Sequence, residues 1–476
     1  MDPSIKKNEN KLNRIAGGER PAQADQRMET FTASDDANES LAFQRSTPPA
    51  MWMQAERLNS TGTSLLRAGR YDEALTAFRQ VLELYRQLPD SQRQQADNLF
   101  NAGLALREMN RYGEALTVYR QAVELYRHVP GTQRDQADCL LNTGGIMIDT
   151  DRYEEACSVF HDALLLYRQL DGTQYQQGNC LLKTGHALRN LERYEEAISA
   201  YRQAVDLCRQ LDGTQQEQAD TLHYSIGLTL NRIRRFEEAI SAYRQALDLY
   251  RQVDGTQRDQ AHCLYNTGAV LHDAKQYEDA ITAFQQAQDH YQHVDGGSWD
   301  QADCARSIGN TLRDLGRRQE AVTAYRQALA IFRQEDGTEK DQANILNYRI
   351  GLILADMWQY DEALTAYRQA QDLYGRTTGA QRQHADCFYN TGITLRDLGR
   401  YQEAITAYQQ ALELFRQVNG TQRQQAYCLN EGIGNILHRM GRPDEAATAY
   451  QQAQNLDPNL NGTEQSPKGS PGPDIG

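Results

Sequence analysis

The sequence lacks any long hydrophobic run. No window approaches the roughly 18 apolar residues that a membrane span needs, and the most apolar one, Ile345 to Trp358, is interrupted by Asn347, Arg349 and Asp356. The N-terminus, MDPSIKKNENKLNRI, has no apolar segment of the secretory kind. A cytoplasmic chain is therefore expected, in which the glycosylation-like triplets at Asn59, Asn419 and Asn461 stay unmodified. Lysine is scarce: 7 of the 50 basic residues, leaving 43 arginines, which suits rigid pairing with Asp and Glu, although codon preference accounts for it more simply. The Asp-Gly-Thr triplets are not followed by Gly-Lys-Ser, so no phosphate loop is present. Ser, His and Asp occur, but nothing local resembles a nucleophile elbow. His290 and His293 lie one helical turn apart without a third ligand nearby. No metal and no cofactor are expected. The net charge of −14 and a pI of about 5.3 disfavour nucleic acid and anionic lipid as partners.

What the sequence does contain is repetition. In Phe236 to Tyr250, FEEAISAYRQALDLY, aromatics fall at steps 0, 7 and 14 and alanines at steps 3 and 10. Large and small residues thus alternate on one helix face, and such a face must pack on something. The pattern recurs from Tyr71, Tyr112, Tyr153, Tyr194, Tyr277, Tyr360 and Tyr401, and with the aromatic replaced at Arg318 and Pro443, giving ten copies 41 or 42 residues apart. A period of that size implies stacked helical hairpins. Ten copies occupy about 410 of the 476 residues, which leaves no room for a separate catalytic domain of ordinary size.

Each copy reads as two helices. The first carries an internal glycine nine residues before step 0 (Gly62, Gly103, Gly144, Gly185, Gly227, Gly268, Gly309, Gly351, Gly392, Gly434). A helical glycine costs about 1 kcal/mol against alanine, so ten in register point to close helix contact. The first helix is expected to open with a reciprocal cap, as in Thr132 with Asp135, Thr214 with Glu217, Thr256 with Asp259 and Thr338 with Asp341. Glutamine takes the acid's place after Thr173 and Thr421, and after Ser298. The preceding glycines, such as Gly131, Gly213 and Gly255, suit a left-handed helix end. The acidic first turns of the second helices, for example Glu154-Glu155, complement the helix dipole. Six of eight cysteines (Cys139, Cys180, Cys263, Cys304, Cys387, Cys428) share one repeat position. Successive copies would stand about one helix-packing distance apart, beyond disulfide reach, so they read as core fillers.

Three copies break the count. From Ala219, Ala343 and Ala426 to the internal glycine there are eight steps, against seven elsewhere. An extra residue inside a helix forms a π-bulge or shifts the register.

With its glycine, then an aromatic nine further on, then Ala, aromatic and Ala, the series Gly103-Tyr112-Ala115-Tyr119-Ala122 resembles the tetratricopeptide repeat. The resemblance covers residues 54 to 458. Being about seven residues longer than the standard form, the repeats look like those of kinesin light chains and Pins-type adaptors, without the coiled coil of the former or the G-protein-binding motifs of the latter. The resemblance implies an all-α, right-handed α-solenoid of about ten hairpins over residues 50–458. An N-terminal arm (1–49) and a C-terminal tail (459–476) read as disordered. Met51-Trp52-Met53 covers the open end of the stack or belongs to the first helix's own core face.

In such solenoids the first helices line a concave groove. Three sets of positions carry over: amides two before the glycine (Asn101, Asn142, Asn266, Asn390), which can pair with a peptide backbone; aromatics three before it (Phe100, Tyr265, Tyr348, Tyr389), which offer amphipathic platforms; and arginines four after it (Arg107, Arg189, Arg313, Arg396), able to grip carboxylates. The plainer readings are bonds between adjacent helices for the amides, packing between repeats for the tyrosines, and neutralisation of the arginines by Glu108, Asp314 and Asp397. The carboxylate clamp of some family members finds Leu141 with Gly145, Leu182 with His186 and Tyr265 with Ala269 at its positions, so it looks absent. The expectation is a non-catalytic adaptor for protein or peptide partners; self-association as a structural solenoid, or a sensor role in a larger signalling system, is the alternative.

Overall fold

The structure, a computed structural model, describes residues 48–458. Apart from Pro48 and Pro49, the arm over 1–49 and the tail over 459–476 lie outside the described residues. These form twenty helices in ten consecutive hairpins. The chain divides between Val253 and Asp254 into two compact units, each taken by itself below.

In the first unit the hairpins are α1 (Pro48–Arg67) with α2 (Tyr71–Arg86), α3 (Gln92–Glu108) with α4 (Tyr112–Arg127), α5 (Gln133–Asp149) with α6 (Tyr153–Tyr167), α7 (Gln174–Asn190) with α8 (Tyr194–Cys208), and α9 with α10 (Phe236–Tyr250). Helix α9 is composite: Gln215–Asp220, a π-helical segment Thr221–Gly227, then Leu228–Arg232. The second unit contains α11 (Gln257–Asp273), α12 (Tyr277–Gln292), α13 (Ser298–Asp314), α14 (Arg318–Phe332), α15, α16 (Tyr360–Arg376), α17 (Gln381–Asp397), α18 (Tyr401–Arg416), α19 and α20 (Pro443–Leu456). Its composite members are α15 (Glu339–Asn344, π-helix Ile345–Gly351, Leu352–Asp356) and α19 (Gln422–Tyr427, π-helix Cys428–Gly434, Asn435–Arg439). Among the described residues no helix is long and apolar enough to cross a membrane.

The large-and-small pattern of the second helices becomes the core. In α4, Ala115, Tyr119 and Ala122 are fully buried and Tyr126 nearly so, each large side chain contributing roughly 1.5–3 kcal/mol through removal of apolar area from water. Tyr126 remains satisfied because its hydroxyl donates to Asp97 Oδ1 of α3 at 2.6 Å. The internal glycines lie under the step-7 aromatics: a Cβ would stand 2.7 Å from Phe78 at Gly62, 2.5 Å from Tyr119 at Gly103 and 2.6 Å from Tyr325 at Gly309. Nothing larger than hydrogen fits there. The six in-register cysteines are free and buried. The helix α1 begins at Pro48, ahead of Met51-Trp52-Met53; of these three, Met51 and Trp52 pack on their own hairpin, with Trp52 5.5 Å from the Tyr85 ring, while Met53 is exposed.

The turns depart from expectation in one respect. The threonines that open the first helices do not cap them. The Thr132 hydroxyl donates backwards to the carbonyls of Tyr126 (2.6 Å) and Val129 (2.8 Å), closing the helix that precedes it. Thr173, Thr338 and Thr421 do the same. Each then accepts a bond from a glutamine four residues on, such as Gln177 at 3.0 Å or Gln342 at 2.9 Å. The last carbonyls of a helix lack intrahelical partners, and the turn, with Gly131 at φ +77°, folds the hydroxyl beneath them. Ser298 is not a cap either, since the position falls on Gly297.

The extra residue of the three long copies is absorbed as π-helix rather than as a register shift. Against the shorter copies the added residues are His223, Asn347 and Asn430, and all three are buried polar side chains.

Candidate peptide-binding face

The first helices bring the sequence-derived candidates into rows, and polar contacts tie each row across repeats. In the first unit Arg107 of α3 reaches α5, donating to Asn142 Oδ1 (3.3 Å) and Asp149 Oδ2 (3.5 Å). It can do so because Gly145 has no side chain; a Cβ there would lie 3.3 Å from the guanidinium. Asn142 spends one amide proton on the Asp138 carbonyl at 2.9 Å, which leaves one donor for a ligand. His186 of α7 meets Ser225 of α9 at 3.3 Å.

In the second unit the Tyr265 hydroxyl of α11 donates to Asp303 Oδ2 of α13 at 2.7 Å and lies 3.2 Å from Ser307. Tyr348 of α15 donates to Asp386 of α17 at 2.8 Å, and Asn390 donates to Asn347 Oδ1 at 3.0 Å. His272 meets Asp314 at 3.1 Å. Burial, and then the Asp303 carboxylate, push the Tyr265 phenol up, so it stays a donor.

The three sets are therefore half-structural. The aromatics lean on their own hairpins: Phe100 on Tyr119 (5.9 Å between centroids), Tyr265 on Phe284 (5.3 Å) and Tyr389 on Tyr408 (5.5 Å). All four, with Asn101, Asn142, Asn266 and Asn390, are only half-buried. Of the arginines, Arg313 and Arg396 pair with the acids that follow them, Asp314 at 2.8 Å and Asp397 at 2.9 Å. Arg107 passes over Glu108 for Asp149, and Arg189 stands close enough to His186 to help depress its imidazole.

Two residues on this face escape a search for amides. The amide row, two before the glycine, is occupied in α7 by Lys183 and in α15 by Arg349. Both are half-buried. Burial, then the nearby Arg107, lower the Lys183 ammonium to about 8 against the pull of Asp149. Burial also lowers Arg349, where Tyr325 and Asp314 are opposed by Arg313 and Arg306. The register itself was the available signal, since both stand where a neighbouring copy has asparagine.

A cleft of about 290 Å³ lies in the first unit, between α8 and α10. Its floor is Leu222, Ile226 and Leu230 of the π-bearing α9, and Arg202 spans it to Glu238 at 2.9 Å. The same bridge, Arg326 to Glu362 at 3.1 Å, flanks the π-bearing α15.

No curated protein matches the sequence. Among solved structures, the apo form of RapI has 15% identity over 76% of this chain and 97% of its own, with a TM-score of 0.47. Aspartyl phosphate phosphatase F from Bacillus subtilis has 14% identity over 86% and 95%, with 0.41, and MamA 41-end from Desulfovibrio magneticus RS-1 has 18% over 42% and 97%, with 0.33. A tetratricopeptide repeat profile matches residues 56–128, 136–210, 180–252, 217–293, 259–334, 341–417 and 387–459, and a second such profile matches 100–171. Matched over most of its length, and built of the hairpins described above, the chain belongs to the tetratricopeptide repeat family.

Proposed function

We propose that this tetratricopeptide repeat scaffold holds extended peptide segments of partner proteins along its first helices and performs no reaction of its own. The observation that carries the reading is the set of half-buried amides, aromatics and cations at repeated registers of the first helices, tied from repeat to repeat by bonds such as Asn390 to Asn347 and Tyr265 to Asp303. Side chains already fixed by such bonds lose little rotamer freedom when a ligand arrives, which lowers the entropic cost of binding. Amides with a spare donor suit a peptide backbone, and a ring exposed on one side suits an apolar anchor. The length taken up by repeats supports the absence of catalysis.

The test compares partners captured by the full chain with those captured by a variant carrying Asn142→Ala, Asn266→Ala and Asn390→Ala together. Loss of the partners with the helical content intact supports the reading. Retention of the same partners at the same yield contradicts it.

A further inference from the structure

Among the described residues six large apolar side chains are exposed: Met53, Leu165, Trp299, Trp358, Leu398 and Met440. The last three share one kind of place. Each lies in the short turn between the two helices of a hairpin, and the hairpins are consecutive: α15–α16, α17–α18 and α19–α20. Trp358 is 78% exposed, and Leu398 and Met440 are 37% exposed. These turns stand side by side on one edge of the second unit, since Asp361 acts electrostatically on Arg400 and Asp397 on Tyr360, and α19 packs on α18. The stripe thus runs across the helix ends and not along the first helices.

Folding does not require it. In the first unit Met109, Leu191 and Ile233 occupy the register of Leu398 and Met440, and all three are half-buried. Trp358 holds φ +62° where Gly316, Gly399 and Gly441 hold +84°, +78° and +73° in the matching turns. A tryptophan is strained in that region, yet its ring meets Tyr360 edge-on at 6.0 Å and otherwise stays in water. Strain of this kind and an apolar stripe in water both mark binding surfaces. Charge at the edge is uneven as well. Glu362, Asp397, Glu403 and Glu445 are held by arginines. Asp356 and Asp361 beside Trp358, and Asp444 beyond Met440, are exposed and form no ion pair with a described residue. Among the described residues of these turns, Arg439 is the cation left to oppose them.

We propose that this edge of the second unit docks a basic amphipathic α-helix of a partner protein, whose apolar residues seven apart rest on Trp358, Leu398 and Met440. Packed helices repeat about every 10 Å, and seven helical residues rise about 10.5 Å in nearly two turns. Positions i, i+7 and i+14 of one helix face therefore meet three successive turns. A strand, rising about 3.3 Å per residue, would need every third residue, and those alternate between its faces. The three unpaired carboxylates, with the net charge of −14, call for Lys and Arg on the flanks of the helix. This surface is separate from the amide rows, so it acts whether or not the first helices hold an extended peptide.

The probe is a fluorescein-labelled helical peptide of Leu, Ala and Lys, with three leucines seven apart and lysines flanking them, titrated into the full chain by anisotropy. Three companions carry one change each: leucines five apart, Glu in place of Lys, or a central Pro. The heptad peptide is expected to bind roughly tenfold more tightly than each companion, and Trp358→Gly to weaken it roughly tenfold. Glycine fits that turn in the neighbouring hairpins, so the variant folds. Leu398→Gln and Met440→Gln are expected to weaken binding by smaller factors, and the Asn142→Ala, Asn266→Ala, Asn390→Ala variant to bind as the natural chain does. No binding of the heptad peptide, equal binding of the five-spaced or Pro-containing companion, stronger binding of the Glu companion, or indifference to Trp358→Gly overturns the inference. Binding lost in the triple asparagine variant but kept in Trp358→Gly also overturns it while supporting the peptide-binding reading above. Growth of the full chain to a larger species with concentration, abolished by Trp358→Gly, overturns it in favour of a second copy on this edge.

Discussion

Helices α5 and α9 do the same job with different numbers of residues. In α5 six steps separate Asp138, which accepts from Tyr167 at 2.5 Å, from Gly144, which lies under Phe160. In α9 seven steps separate Asp220, which accepts from Tyr250 at 2.6 Å, from Gly227, which lies under Tyr243. Both anchors hold in both helices. What gives way is the helical period between them, which becomes π over Thr221–Gly227. The contacts that lock a first helix to its second helix therefore outrank the α-helical hydrogen-bond pattern, and the surplus residue is stored as a buried polar side chain.

Four predictions sharpen or break that comparison. The largest effect belongs to the glycine anchor: Gly144→Ala and Gly227→Ala each lose about 1–3 kcal/mol through overpacking against the facing ring, whereas Gly113→Ala, with no atom within 4 Å of its Cβ, gains about 0.5–1 kcal/mol from helix propensity. Native-state hydrogen exchange of each hairpin reads the difference, and a harmless Gly227→Ala would mean that the π-helix is soft rather than anchored. Next, deleting Asn347 converts α15 to the regular length. Its Nδ2 is buried without a partner among the described residues, so the deletion raises local stability by about 1 kcal/mol after loss of the Asn390 bond. A fall in protection of α15 and α16 would show instead that the buried amide stabilises the π segment.

A smaller effect is expected at the turn after α15. Trp358 sits there at φ +62° and 78% exposed, where Gly316 and Gly399 occupy the corresponding turns. A bulky residue in the left-handed region is strained by roughly 1–2 kcal/mol. Trp358→Gly therefore gains about 0.5 kcal/mol once the greater freedom of the unfolded glycine is subtracted, measured as a shift in denaturation midpoint. The smallest effect is a pH slope. The folded chain gives up the Lys183 proton near pH 8, and the unfolded chain gives it up near the ordinary lysine value of about 10.4. Between these the unfolded state binds more protons, so stability rises with pH. Lys183→Met flattens that rise relative to the natural chain; identical slopes would contradict the assignment.

Much of this was legible in the sequence because repetition turns one weak signal into ten. A lone helical glycine such as Gly103 says little, but ten at one offset from an aromatic announce the contact with Tyr119 and its counterparts. The eight-step interval at Ala219 likewise pointed to a π-bulge or a register shift, and the distance from Thr214 to Ala219, the same as in the other copies, placed the surplus after Ala219, where the π-helix lies. The threonines were misread because Thr-x-x-Asp fits both a forward cap and a backward clasp. Gln136, four after Thr132 and bonded to its hydroxyl at 3.3 Å, was the distinguishing residue. Gly297 and Ala380, with no hydroxyl, show that the clasp is dispensable in two copies. For the candidate site, register gave the rows, while the partnering did not follow from it. That Arg107 crosses to Asp149 depends on the empty space at Gly145, and that Lys183 and Arg349 lack carboxylates depends on which acids neighbouring arginines have already taken.

The account's central claim is that ligands lie along the first helices. Hydrogen–deuterium exchange of the full chain with and without a library-selected peptide tests it most directly. Slowed exchange in α5, α7, α11, α15 and α17, with α6, α8, α12, α16 and α18 unchanged, is the predicted result. Protection confined to the second helices, or to the cleft between α8 and α10, would contradict it.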